Sequence, residues 1–219
     1  SRKGGHNTGN DKTPALAASL SYKDVGGIDD RWRSMALYTQ ADYNWRYTWF
    51  VQGALAMETS SHFGRDAREG VRLGDVKWGV FPSLQGAWML SNEPFMAPLK
   101  AVNQLKLRMG YDESGNDDIP TVASRTTFAS GKYLGNAIGL SLNAIGNNTL
   151  QWETTRRLSA GVDMMAWNNR LGLSLNVFKS YTSNLLTLKS LPELSGEDYY
   201  WSNEGALENI GADIRLNVK

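Results

Sequence analysis

From Gln104 to Asp112 the chain reads QLKLRMGYD, so Leu105, Leu107, Met109 and Tyr111 alternate with Lys106, Arg108, Gly110 and Asp112. A helix would mix these residues over its surface, whereas a strand sends them to opposite faces of a sheet. The same period of two marks 14–23, 33–45, 47–58, 80–91, 103–112, 155–166, 170–180 and 206–218, which predicts about eight strands. Most are about 10 residues long, close to the roughly 9–11 that a tilted strand needs to cross a bilayer and longer than the roughly 5–6 usual in soluble sheets.

The faces are consistent from strand to strand. One carries Met35, Leu37, Ala41, Tyr43, Trp49, Val51, Leu55, Met57, Leu84, Trp88 and Leu90, then Leu107, Leu158, Val162, Met164, Leu171, Leu173, Leu175, Val177, Ile210, Ile214, Leu216 and Val218, with no charge among them. The other carries Gln40, Asp42, Asn44, Gln52, Glu58, Arg108, Arg157, Asp163, Asn176, Asp213 and Arg215. The pattern predicts Leu107, Leu173, Leu175 and Ile214 against lipid, and Asp42, Arg108, Asp163 and Arg215 against a hydrated lumen. Connections alternate in length. Residues 24–32, 59–79, 113–154 and 181–205 are the longer loops; 45–47, 92–102 and 167–169 are the shorter turns. Long loops on one side and short turns on the other are the rhythm of an outer-membrane barrel, with the long side outside the cell. Tyr43, Trp45, Tyr47, Trp49 and Trp167 gather near the turn ends, where an interfacial girdle would lie.

Two other architectures fit period-two strands. A soluble carbohydrate-binding β-sandwich would bury its apolar faces in a core. A complete eight-stranded barrel, serving as a structural protein, pore or adhesin, would require 14–23 to bond 206–218.

Composition narrows the function classes. The 219 residues carry 23 basic and 22 acidic side chains, which favours neither nucleic acid nor an anionic surface. Cysteine is absent, which removes disulfides, thiolate metal sites and cysteine nucleophiles. Mean hydropathy is −0.42 and no apolar run approaches the roughly 18 residues of a membrane helix, which excludes helical spans but not barrel strands. His6 and His62 are the two imidazoles, each in a polar or glycine-flanked stretch, so no catalytic residues, cofactor or metal are expected and the chain does not read as an enzyme. DESGNDD, Asp112–Asp118, offers oxygen ligands without EF-hand spacing and reads as a solvated turn. GEDYYWSNEG, 196–205, places Tyr199, Tyr200 and Trp201 together in a long loop, where rings could contact a ligand or partner. Gly110, Ser159, Gly161, Gly172 and Gly211 are small inward residues that would leave room for a plug or solute.

Longer stretches then resemble one family. SHFGRDA (61–67), WGVFPSLQGAWMLSNEPFM (78–96), QLKLRMGYDESGNDDI (104–119), IGNNTLQWETTRRLSAGVDMMAWNNRLGLSLNVFKSYTSNLL (145–186) and NIGADIRLNV (209–218), in that order, resemble SusC/RagA-type TonB-dependent receptors of Bacteroidetes outer membranes. AMETSSHFG (56–64) and GYDESGND (110–117) depart from the family pattern, which bears on loop contacts and not on the barrel. The resemblance implies an all-β antiparallel segment of a 22-stranded transmembrane barrel, with residues 1–219 in its C-terminal portion and the plug domain absent. It implies import of glycan or peptide oligomers across the outer membrane. It also implies a SusD-like surface lipoprotein over the barrel and TonB acting through the plug. The expectation is a part of a longer receptor, ending in a strand that is still alternating.

Overall fold

The computed structural model describes residues 2–8, 19–26, 31–121, 123–133, 137–192 and 196–219. It has two units, Ser1–Trp32 and Arg33–Lys219. In the first, β1 (Arg2–Thr8) pairs antiparallel with β2 (Ser19–Gly26). Part of the strand expected at 14–23 therefore falls in β2, and 14–18 lie outside the described residues.

The second unit is built on seven long strands: β3 (Ser34–Trp45), β4 (Trp49–Ser60), β6 (Val76–Met89), β7 (Val102–Asn116), β10 (Glu153–Ala166), β11 (Leu171–Ser183) and β14 (Ala206–Val218). They form an antiparallel meander, each bonded to the next in chain order, and the short β5 (Val71–Leu73) folds back on β6. The hairpins β8 (Thr127–Tyr133) with β9 (Ala137–Ala144), and β12 (Leu186–Ser190) with β13 (Tyr199–Asn203), stand on the two longest connections.

Strand register joins the expected faces into continuous rows. Trp45, Trp49, Trp88, Leu107, Val162, Leu175 and Ile214 are successive cross-strand partners, one from each long strand. On the opposite face Asn44, Phe50, Ala87, Arg108, Gly161, Asn176 and Asp213 form such a row. Because side chains alternate with period two, a one-residue slip in any strand would break both rows. Leu90 leaves its expected place on the apolar face, since it opens a 3-10 turn (Leu90–Asn92) that Pro94–Met96 continues.

Within the second unit no other sheet covers the apolar rows among the described residues. Ile210 and Ile214 are 74% and 71% exposed, and the buried apolar residues (Ala67, Trp78, Phe81, Ile119, Ala123, Leu150, Trp152, Ala166) lie in or near the connections and strand ends. That corrects the sandwich reading, which needs a core between two sheets. The closed eight-stranded barrel is corrected too. β2 bonds β1 instead of β14, and β3 and β14 each pair on one side only among the described residues.

The tight turns are Arg46–Thr48 and Trp167–Arg170. Arg46 and Tyr47 in one, and Trp167, Asn168 and Asn169 in the other, take positive φ of 52–62°. Left-handed turn residues match the twist of a hairpin. Side chains stabilise these costly conformations: Asn44 Oδ1 accepts the Tyr47 N–H at 2.9 Å, and Asn103, extra residue of a bulge opposite β10, accepts the Asn169 N–H at 3.2 Å. From the pair Trp45/Trp49 to the pair Ala166/Leu171 the hairpin ends step down four residues across four strand-to-strand steps. One residue of about 3.3 Å for each step of about 4.8 Å is a strand tilt of about 35°, the stagger that closing a barrel demands.

Strand ends depart from expectation at the long-loop side. β6 starts at Val76 and not at 80, β7 runs on to Asn116, β10 starts at Glu153, and β11 reaches Ser183. At the ends of β7, β10 and β11 both faces are polar, so the alternation that defines a strand in sequence has faded while backbone pairing continues.

Candidate functional site

The polar face of the meander is organised by ion pairs. Arg108 reaches diagonally to Asp163, with Nε 2.7 Å from Oδ2 and Nη2 donating to Oδ1 at 3.0 Å. The Ser174 hydroxyl donates to the same Oδ1 at 2.7 Å, so β7, β10 and β11 are tied through one carboxylate. Gly161 gives this pair room: a Cβ there would lie 3.0 Å from both Arg108 Nη2 and the Leu175 carbonyl, so the guanidinium passes close over bare backbone. One turn of the ladder away, Arg157 Nε lies 3.1 Å from Asp112 Oδ1. Because Arg156–Arg157 is registered against Asp112–Glu113, the neighbouring Arg156–Glu113 pair, also 3.1 Å, falls on the opposite face.

A groove of about 480 Å³ runs along the polar face, with Gly110 and Gly161 in its floor and Asp42, Lys106, Arg108 and Arg157 around it. A second cleft of about 200 Å³ joins Arg108 and Ser174 to Asp213 and Arg215 on the edge strand. The structure therefore brings all four expected polar residues to one face: Asp42 and Arg108 at the larger groove, Asp163 holding Arg108, and Arg215 across the smaller cleft. Leu107, Leu175 and Ile214 share one row on the other face, and Leu173 pairs with Met164 and Leu216 just below. At the tight-turn end Trp49 and Trp88 stack at 4.6 Å and 12°, the Trp88 indole donates to Glu93 at 3.0 Å, and the Arg46 guanidinium lies 5.1 Å over the Trp45 ring.

Not every inward glycine leaves space. A Cβ on Gly211 would meet the Phe178 ring at 2.5 Å, so that ring already lies over the glycine. A Cβ on Gly110 would meet Ser159 Oγ at 3.2 Å.

At the other end the long connections pack on one another around Leu150, which is fully buried, with Ile119, Ala123, Phe63, Leu186 and Trp201. Side-chain amides stitch the cluster. Gln151 Oε1 accepts the N–H groups of Arg68 at 2.8 Å and Glu69 at 3.0 Å. Asn203 Oδ1 accepts the Gln151 N–H at 2.8 Å, while its Nδ2 donates to the carbonyls of Gln151 at 2.7 Å and Asn184 at 2.9 Å. Glu153 accepts from the Leu186 N–H at 2.8 Å and Asn116 Nδ2 at 3.0 Å. These bonds tie the described parts of three connections to one another, at 68–69, 151–153 and 184–203. Gln151, Asn203 and Glu153 escape sequence reading because each bonds backbone 19 to 83 residues away, and such bonds follow no period.

The structure separates the aromatic trio. Tyr199, Tyr200 and Trp201 sit on β13, where alternation sends Tyr200 away from its neighbours. Trp201 packs on the Leu150 cluster and its carbonyl accepts Asn147 Nδ2 at 3.0 Å, whereas Tyr199 is 58% exposed. The acids of Asp112–Asp118 likewise do not converge. Asp112 and Glu113 are engaged by arginines on opposite faces, and Asp117 lies 3.4 Å from His62 Nδ1. Among the described residues no group of three or more His, Cys, Asp or Glu could hold a metal. On the β12–β13 hairpin the hydrogen bond between Lys189 and Glu204 raises the lysine above its ordinary pKa and lowers the carboxyl below its own.

Residues 3–219 match a family model described as TonB dependent receptor-like, beta-barrel. TonB-dependent receptor P39 of Formosa agariphila is 29% identical over 184 residues, covering 84% of this chain and 17% of its own length. P26 of the same organism is 32% identical over 71% of this chain and 16% of its own length, and TonB-dependent receptor SusC of Bacteroides thetaiotaomicron is 28% identical over 66% and 15%. The chain thus spans about one sixth of the length of these relatives. In fold it is similar to the RagAB peptide transporter, with TM-score 0.78 and 24% identity over 94% of this chain and 22% of that one. The siderophore receptor PirA from Pseudomonas aeruginosa gives 0.56 and 15% over 93% and 33%. Seven staggered antiparallel strands with one apolar and one charged face are what such a barrel wall requires, and with a family match over nearly its whole length the chain belongs to the SusC/RagA-type TonB-dependent receptors, as part of their β-barrel.

Proposed function

We propose that this chain is wall and extracellular loops of an outer-membrane importer of oligomeric nutrients, glycan or peptide. The carrying observation is the two-faced meander: apolar rows left exposed by the protein on one side, ion-paired polar rows on the other. In this reading Leu107, Leu173, Leu175 and Ile214 contact lipid, while Asp42, Arg108, Asp163 and Arg215 keep the lumen hydrated. Residues 1–219 belong to the C-terminal portion of the barrel domain. The free edges of β3 and β14 pair with further strands of the same barrel, because backbone N–H and C=O groups exposed to lipid cost several kcal/mol each. A plug elsewhere in the receptor receives energy from TonB, and a SusD-like lipoprotein sits over the loops. As receptors of this family transport, no catalysis is assigned. Tyr199, at the exposed end of β13, is the loop aromatic placed for ligand or partner contact.

The topology test uses the full-length receptor in intact cells. Protease sites inserted in 117–152 and 184–205 should be cut, and one at Asn168 should be spared. Cleavage at Asn168 with protection of both long connections would reverse the wall.

A further inference from the structure

The apolar face does not stay uncharged to its end. Above Tyr111, Leu158 and Ile210 it carries Glu113, Arg156 and Glu208, with Lys179 directly between Leu158 and Ile210. Arg156 Nε holds Glu113 at 3.1 Å, and Lys179 Nζ lies 2.9 Å from Glu208. Tyr111 also donates to Glu113, and Tyr181 stands between Arg156 and Glu208 in the same row. These are four charges and two phenols in one belt, on the side the proposed function gives to lipid.

Height decides what the belt meets. Arg156 is ten residues along β10 from the tight-turn end at Ala166, and Lys179 is eight along β11 from Leu171. At about 3.3 Å per residue and about 35° tilt these lie about 27 and 22 Å above the tight-turn end, against an apolar band about 25 Å tall. The belt therefore falls at the far edge of the hydrocarbon, opposite the Trp45, Trp49 and Trp88 cluster near the other edge. A cation at that level meets lipid headgroups before it meets free water. Glu113 engages Nε of Arg156, with Tyr111 and Glu69 also beside the guanidinium, and Glu208 takes one direction of the Lys179 ammonium, which leaves further N–H donors on both cations. The carboxylates hold the cations upright along the wall, and the phenols suit the same layer.

We infer that Arg156 and Lys179 form a headgroup-level contact for phosphate-bearing lipid of the outer leaflet, an inference that rests on the wall orientation proposed above. Phosphate is the matching class because guanidinium and ammonium donors recognise its oxygens, and because the source lies laterally in the membrane.

The test uses the full-length receptor, with barrel folding of every variant checked by heat-modifiable gel migration. Fluorophores on Lys179→Cys, Leu175→Cys and Arg157→Cys are read in phosphatidylcholine vesicles bearing a nitroxide at the headgroup or at mid-chain. The label at 179 should be quenched mainly from the headgroup, that at 175 mainly from mid-chain, and that at 157 by neither. Failure of 175 to see the mid-chain nitroxide overturns the wall orientation itself. Quenching of 175 from mid-chain with 179 equally deep, or unquenched, overturns only the belt. In a second measurement the receptor is extracted from vesicles of phosphatidylcholine with a minor fraction of diphosphoryl lipid A, and retained lipid is weighed by mass spectrometry. Arg156→Gln with Lys179→Gln should lower lipid A retention about fivefold, and Arg108→Gln with Arg157→Gln, which removes the same two charges from the other face, should leave it unchanged. Equal loss in both variants, or loss in neither, refutes the site.

Discussion

Asn203→Ala tests whether the long connections are one body. The side chain makes three bonds, accepting the Gln151 N–H at 2.8 Å and donating to the carbonyls of Gln151 and Asn184 at 2.7 and 2.9 Å. Gln151 is 4% exposed, so its amide and carbonyl find no water when Asn203 is removed. A buried group left without a partner costs about 1–3 kcal/mol, while a hydrogen bond exposed to solvent is worth about 0.5–1.5. Two buried losses and one partly exposed one give about 3 kcal/mol of local stability, or about 100-fold in the opening equilibrium. Hydrogen exchange followed by mass spectrometry on the intact receptor reads this directly. The amides of Arg68 and Glu69 touch Gln151 and not Asn203, so they report whether the loss travels. They should exchange about 100-fold faster in the variant, together with 147–151 and 184–186. Asn203→Asp keeps the acceptor for Gln151 and loses the donor, so it should fall between. Faster exchange confined to the β12–β13 hairpin, with 64–69 unchanged, would show that the connections open independently and that the amide network does not couple them.

Two further substitutions probe the wall. Leu173→Arg in the full receptor should cost about 1–2 kcal/mol, because it lies two residues above the tight-turn end, between the interface and the midplane of the apolar band, and folding into lipid vesicles should fall with it; unchanged folding would contradict the face assignment. Arg108→Gln and Asp163→Asn should be coupled by about 1 kcal/mol in a double-mutant cycle of denaturant unfolding, modest because both side chains are a third or more exposed, and additive effects would mean that the fork does not bind the strands.

The long strands were legible because a wall between two media must alternate. Leu105 to Tyr111 against Lys106 to Asp112 is a contrast that lipid and water impose on each residue, and the register carries it unbroken from Trp45 to Ile214. The same contrast explains the strand ends that sequence missed. At Asp112–Glu113 against Arg156–Arg157 both faces are charged, so the period vanishes although the ladder runs three residues further, to Asn116 against Glu153. The β8–β9 and β12–β13 hairpins were hidden for a related reason. Their strands are only five to eight residues long, so TFASGKY and YYWSN show no fixed apolar phase.

Burial in this molecule runs opposite to a soluble domain, and that accounts for what a sequence can reveal of its site. The apolar side chains with regular spacing are the exposed ones, whose partner in the proposed orientation is lipid; among the described residues Leu150, which no pattern marks within NNTLQWE, is the fully buried large side chain. The wall is held by ladder hydrogen bonds and, in the proposed orientation, by the bilayer, whereas the connections are held as a small packed core with amide staples. Their stabilities therefore answer to different perturbations. Leu173→Arg should impair insertion and leave exchange at 64–69 unaltered in the molecules that do fold. Asn203→Ala should loosen the loops and leave insertion intact. If either variant produced both defects, wall and loops would be one cooperative unit, and a solute or partner engaging the loops could then act on the strands around Arg108 and Asp163 through the protein itself.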